Sequence, residues 1–194
     1  MKSREKILAT AGELIHTKGL NHTSIKDIVT AAKVTKSNFY YHFESKEQLA
    51  FEVLAERMRQ FYALAIGPSL EDTGLDPLTR IDLFFKSMKS IGQSPIGELG
   101  CPFGNLAQEV SPTHEPLRRA LSGFFHACSE TMTTCFEQGK ETGVFKPSMP
   151  SKELADFVLA QLQGSLLLRK THKEPKIIEN NFELLRNLIG QWIQ

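Results

Sequence analysis

The chain has 194 residues, 41% of them hydrophobic, and 23 Lys and Arg against 22 Asp and Glu for a formal net charge of +1. That length and apolar content fit one compact domain, or a small module fused to a larger one, and exclude a disordered chain. A membrane-spanning helix is excluded as well: the richest apolar segment, Phe157 to Leu168, is broken by Gln161, Gln163, Gly164 and Ser165, short of the roughly 18 uninterrupted residues a span needs.

The chain begins MKSREKILATAGEL, where charges flank a short apolar stretch with helical spacing. It lacks the unbroken core of a secretion signal, so a cytoplasmic location is expected. Cys101, Cys128 and Cys135 are odd in number and have no CxxC spacing, which argues against a disulfide framework or a zinc site. On one helix, Cys128 and Cys135 would lie about 10 Å apart along the axis, too far to bridge. The sequon Asn21-His22-Thr23 has no secretory signal to make it an acceptor. Charge is uneven: residues 1–46 hold eight Lys or Arg against four Asp or Glu, and residues 47–194 hold fifteen against eighteen. Only the first quarter suits a polyanion.

Apolar residues recur at spacings of three and four between Gly and Pro breaks, with no strand alternation, which predicts an all-α protein of about nine helices. The first runs from about Ser3 to Lys18 and stops at Gly19. The second begins at Thr23 or Ser24, with Asp27 completing a capping box, and turns Ile25, Ile28, Val29 and Ala32 inward. Thr35 caps a third, whose Phe39 and Phe43 share one face. Ser45 and Gln48 start a fourth as a second capping box. Two short helices joined by a tight turn have the dimensions of a helix-turn-helix, whose second helix enters the major groove of DNA. Lys36, Ser37 and Asn38 are then placed to reach base edges. Tyr40, Tyr41 and His42 carry polar tips suited to phosphate oxygens. Lys46 lies in the first turn of the fourth helix, where free N–H groups already favour a phosphate.

Residues 4–50, centred on TSIKDIVTAAKVTKSNFYYHFESKEQL, resemble the DNA-binding domain of the TetR family of transcriptional regulators, and the run Tyr-Tyr-His-Phe-x-Ser-Lys-Glu-x-Leu is among its most specific features. The resemblance implies a homodimer on a palindromic double-stranded DNA operator, with repression usually relieved by a small-molecule inducer. It marks Ser24, Thr35, Lys36, Ser37, Tyr40, Tyr41, His42 and Lys46 as DNA contacts. Many members have Gly at the place of Ser37 and Thr at that of Asn38, so base preference does not carry over. The domains expected are 1–46 for DNA binding and 47–194 for ligand binding and dimerisation.

In the remainder, residues 151–172 and 176–193 read as helices apolar on two sides. Leu154, Phe157, Val158 and Leu162 lie on one face of the first, with Leu159, Leu166 and Leu167 toward another. Ile178, Phe182, Leu185, Ile189 and Trp192 line one face of the second, with Ile177, Leu184 and Leu188 on another. A second apolar face leaves one for a partner, and in the TetR family the last two helices pair with their symmetry mates. Such a two-fold dimer sets its recognition helices roughly 34–36 Å apart. ELGCPFGNLAQEVSP, residues 98–112, looks like a sequence shared by a subset of TetR regulators, some with a cysteine here that senses electrophiles or oxidants. Cys101 precedes a helix over about Phe103 to Val110, whose dipole would favour a thiolate. Phe84, Phe85, Met88, Cys101, Phe103, Phe125 and His126 are the candidates for contact with an apolar, aromatic or electrophilic ligand.

Enzymatic motifs are not found. The HEPLR run at His114 has Arg118 where a zinc protease needs a second histidine, and Gly139-Lys140 is followed by Glu141 where a phosphate loop needs Ser or Thr. No catalytic residues, metal or cofactor are expected. Two alternatives stay open: a dimeric DNA-binding adaptor without a ligand, and an enzyme using the Cys101 thiol.

Overall fold

The structure, a computed structural model, describes residues 2–194. Its α-helical segments are α1 (Ser3–Lys18), α2 (Ile25–Ala31), α3 (Lys36–His42), α4 (Lys46–Phe61), α5 (Pro77–Gln93), the single turn α6 (Pro95–Glu98), α7 (Pro102–Val110), α8 (Glu115–Glu141), α9 (Ser151–His172) and α10 (Lys176–Gly190). Nine of them are seven residues or longer, in line with the all-α expectation. Among the described residues extended backbone pairs only at an isolated bridge between Phe145 and Ile193. The chain forms two compact units. One runs to Gln60 and takes in Pro102–Leu121; the other is Phe61–Cys101 with Ser122–Gln194.

In the first unit Ile7 and Ala11 of α1, Ile28 of α2, Ala32, Phe39 of α3, Phe43, and Leu49 and Val53 of α4 form one buried cluster. Helix α4, which the sequence division at residue 46 places with the second part, thus contributes to this core. Each short helix begins where its cap directs. The Ser24 oxygen accepts from the Asp27 N–H at 3.1 Å, and the Asp27 carboxylate accepts from the Ser24 N–H at 2.9 Å and its hydroxyl at 2.6 Å. The hydroxyl of Ser24, followed by its N–H, holds the Asp27 carboxyl below the usual carboxylate range. Thr35 accepts from Asn38 N–H at 3.1 Å. Ahead of α4 the Ser45 oxygen accepts from Gln48 N–H at 3.0 Å, while the Gln48 amide oxygen accepts from the N–H of Glu44 at 2.6 Å, one residue earlier than in a standard capping box. Between α2 and α3 the chain reverses through Lys33 at φ 52°, a left-handed conformation uncommon outside glycine. Val34 N–H then returns to the Val29 carbonyl at 3.0 Å.

The second unit is built on a larger cluster that includes Ile66, Leu70, Phe84, Phe85, Met88, Met132, Phe136, Phe145, Val158, Leu162, Phe182 and Ile189. After α4 the helix does not stop at Gly67-Pro68 but continues as a π-helix, Tyr62–Leu70. The wider turn changes the bonding register that Pro68, lacking an N–H, would interrupt in an α-helix. The buried Ser69 hydroxyl donates to the Ala65 carbonyl, and the buried Arg80 guanidinium donates from Nε to the last carbonyl, that of Leu70, at 2.9 Å. On α9 the inward residues are Leu154, Ala155, Val158, Leu162, Ser165, Leu166 and Arg169. Phe157, expected on that face, is instead exposed along with Leu167 and Leu168, because Ala155 and Val158 take the inward positions around it. On α10 Ile178, Phe182, Leu185 and Ile189 are buried and Leu184 is exposed.

Replacing Ser24 with Ala removes one acceptor from the first turn of α2 and leaves Asp27 without its partner hydroxyl. Stability should fall by about 1 kcal/mol, seen as a lower urea midpoint at unchanged slope. An unchanged midpoint would remove the cap from the account of α2.

Candidate nucleic-acid interface

Burying Phe39 and Phe43 decides which side of α3 faces out. Lys36, Ser37, Tyr40 and Tyr41 are exposed, Asn38 and His42 are half-buried, and Tyr41 at 82% exposure is the most open of the large apolar side chains in this stretch. The Lys36 ammonium lies 5.9 Å from the Tyr40 ring centre, an arrangement that limits where the charge can go. The Tyr40 ring stands edge-on to Phe39 at 5.3 Å, and the Tyr41 ring edge-on to His42 at 4.8 Å. The phenol oxygens are therefore carried on rings steadied from one side, a suitable build for phosphate contacts, while Lys36 and Ser37 occupy the front of the helix.

The remaining candidates are more tightly held. The Ser24 hydroxyl hydrogen is engaged by Asp27. Thr35 uses only its oxygen in the cap, so its hydroxyl hydrogen is left to donate. The Asn38 amide oxygen accepts from the Ser3 hydroxyl of α1 at 2.8 Å, which fixes its orientation. The Lys46 ammonium donates to the Leu20 carbonyl at 3.0 Å, committing one of its three hydrogens. Ser3 has no sequence signal of its own, since a serine in the first turn of a helix does not reveal a partner 35 residues away.

Two further ties fasten these helices to the other segment of the same unit. Glu109 of α7 accepts from the N–H of Leu20 at 2.8 Å and of Asn21 at 2.6 Å. His114 Nδ1 accepts from Leu117 N–H at 3.2 Å, starting α8, while its Nε2 is 3.0 Å from the Glu47 carboxylate. The neutral tautomer with the proton on Nε2 satisfies both partners.

The candidate ligand contacts are divided between the two units. Phe84, Phe85 and Met88 are buried in the core of the second unit, with Cys101 packed against it. Phe103 is buried within the first unit. Phe125 is half-buried, and the His126 side chain is 70% exposed beside Glu130 at 3.9 Å. The cysteines differ in chemistry. Burial, then the neighbouring Cys101, pushes the Cys128 thiol up to about 12, and burial pushes Cys135 up to about 11. No group of three or more His, Cys, Asp or Glu able to hold a metal occurs among the described residues, and no described helix is long and apolar enough to cross a membrane.

Residues 7–53 match the family described as bacterial regulatory proteins, tetR family, and residues 77–185 match the tetracyclin repressor-like C-terminal domain. The chain is 31% identical over 170 residues to the HTH-type transcriptional repressor DhaR of Mycobacterium sp. (strain GP1), covering 88% of this chain and 83% of that protein. It is 33% identical over 172 residues to the HTH-type transcriptional regulator LmrA of Bacillus subtilis, covering 88% of each. A TetR transcriptional regulator from Chloroflexus aurantiacus superposes with a TM-score of 0.85 at 28% identity, over 98% of this chain and 96% of that one.

Burial that pushes both thiols up disfavours the thiolates of Cys128 and Cys135 near neutral pH. A thiol-labelling reagent applied to the native protein should therefore modify Cys128 and Cys135 far more slowly than it does once the chain is unfolded. Native labelling at Cys128 would show that its burial is not maintained in solution.

Proposed function

The chain belongs to the TetR family of DNA-binding transcriptional regulators, and from that premise we propose that it is a homodimeric repressor that leaves a palindromic operator when a small molecule binds. The observation that carries this reading is the outward face of α3. Lys36, Ser37, Tyr40 and Tyr41 stand exposed together on a capped helix anchored from beneath by Phe39 and Phe43.

Residues 1–46 make the DNA contacts in this reading. Lys36 and Ser37 address base edges, with Asn38 at the margin of that face. Thr35, Tyr40, Tyr41 and Lys46 contact phosphates, and Ser24 and His42 shape the ends of the surface. The dimer forms through α9 and α10, whose exposed Phe157, Leu167, Leu168 and Leu184 are accompanied on α9 by exposed Ala160 and half-buried Gly164, small enough for a second helix to approach closely. A symmetric four-helix contact covers these side chains, which a monomer would leave in water. The ligand is apolar or aromatic, or an electrophile that reacts at Cys101. The core lined by Phe84, Phe85 and Met88 is the region of the second unit with the chemistry to receive an apolar body. The protein acts in the cytoplasm, where its operator is.

Selection from a random DNA pool at near-physiological salt should return a palindromic consensus. Recovery of no consensus would reduce the function to non-specific DNA binding. Lys46→Ala should weaken binding to all sequences alike and lower the salt slope by about one per protomer. Leu167→Glu combined with Leu184→Glu should give a monomer by sedimentation and lower operator affinity by about 10²-fold or more, since the second half-site no longer adds to the first. A stable dimer in that variant would move the interface elsewhere.

A further inference from the structure

The turn between α1 and α2 is held from two directions by side chains of opposite charge, and both act on the same peptide group. The amide joining Leu20 to Asn21 receives the Lys46 ammonium on its carbonyl oxygen at 3.0 Å and presents its N–H to Glu109 at 2.6 Å. The second oxygen of Glu109 accepts from the preceding N–H, that of Leu20, at 2.8 Å. Hydrogen bonds to charged partners are the stronger class, and a bond at one end of an amide polarises the group at the other.

Two features show that Glu109 is not explained by its own helix. It lies in the last turn of α7 (Pro102–Val110), the end at which the helix dipole disfavours a carboxylate. The backbone opposite is also shaped to admit it. Gly19 has φ +88°, and a Cβ there would come within 2.9 Å of the Glu109 carboxylate. A side chain at residue 19 would both strain the turn and collide with Glu109.

We propose that Glu109 is a positioning residue for operator binding, holding the Leu20–Asn21 peptide so that its carbonyl fixes the Lys46 ammonium with two hydrogens free for a DNA phosphate. This rests on the reading of α3 and the start of α4 as the operator-binding surface. Lys46 has a long, flexible stem, and an untethered ammonium loses rotamer freedom on reaching a phosphate. The tether meets part of that ordering cost before DNA arrives.

The test is a double-mutant cycle on the full chain with wild type, Glu109→Gln, Lys46→Ala and the double variant. Operator affinity is measured across a range of salt, and amide spectra of the ¹⁵N-labelled proteins are recorded without DNA. The glutamine keeps the size of the side chain but turns an amide NH₂ toward one of the two N–H groups. Glu109→Gln should weaken operator binding about three- to tenfold and remove part of the salt slope that Lys46→Ala removes. In the Lys46→Ala background it should cost less than about twofold. The Asn21 amide resonance should move in both single variants, since the relay is perturbed from either end. Equal costs of Glu109→Gln with and without Lys46, or an Asn21 resonance indifferent to Lys46→Ala, would overturn the proposal. If the wild type itself selected no operator, the functional reading would fall, and the amide spectra would still decide whether the relay exists. Should Glu109→Gln unfold, Lys46→Ala alone carries the spectral test.

Discussion

Helices of seven residues do not persist alone in water, because nucleating a helix costs more than so few hydrogen bonds return. Both α2 and α3 are of that length, so everything the first unit does depends on the burial of Phe39 and Phe43 among Ile7, Ala11, Ile28, Leu49 and Val53. Full burial of two phenylalanines contributes on the order of 3–6 kcal/mol relative to exposure. That burial also determines the register of α3. With Phe39 and Phe43 inward, helical geometry turns Ser37 and Tyr41 to the opposite side, and the surface facing DNA follows from the core beneath it.

The same economy does not extend to the charges. Arg80 and Arg169 are buried in the second unit and held mainly by uncharged oxygens. Arg80 donates to the Leu70 carbonyl and to the Gln138 amide oxygen at 2.5 Å. Arg169, 2% exposed, reaches the Gln93 carbonyl at 3.3 Å with Glu98 at 3.7 Å and leaves Nε without a partner. Burying a guanidinium on such terms is costly. Arg80 recovers part of the cost by closing the end of the π-helix, a place where free carbonyls would otherwise be stranded. Arg169 has less to offset it, and truncation there would test packing as much as charge.

What could be read from the sequence was local. Ser24 with Asp27, Thr35, and Ser45 with Gln48 mark helix starts because a cap is decided within four residues, and all three act as caps in the fold. The family resemblance over residues 4–50 rests on the same short-range pattern. Gly67-Pro68 misleads for the complementary reason: the pair reads as a break, but the helix survives by widening, which depends on Ser69 and on Arg80 arriving from α5. Phe157 and His126 are exposed although the period alone allows either side, since the choice belongs to neighbours distant in the chain. Glu109 is least legible, because its partners Leu20 and Asn21 lie 89 and 88 residues away and offer only backbone.

The openness of Tyr41, beside the half-exposed Tyr40, bears on how binding responds to temperature. In the proposed complex the contact from Lys46 to phosphate draws on counterion release, which is read out by salt and changes heat capacity little. Covering two aromatic rings removes apolar surface from water and makes the heat capacity of association negative. Affinity for DNA should then pass through a maximum as the solution is warmed, with ionic strength raising or lowering the whole curve. Salt and temperature would thus report separately on the cation at the start of α4 and on the aromatic face of α3.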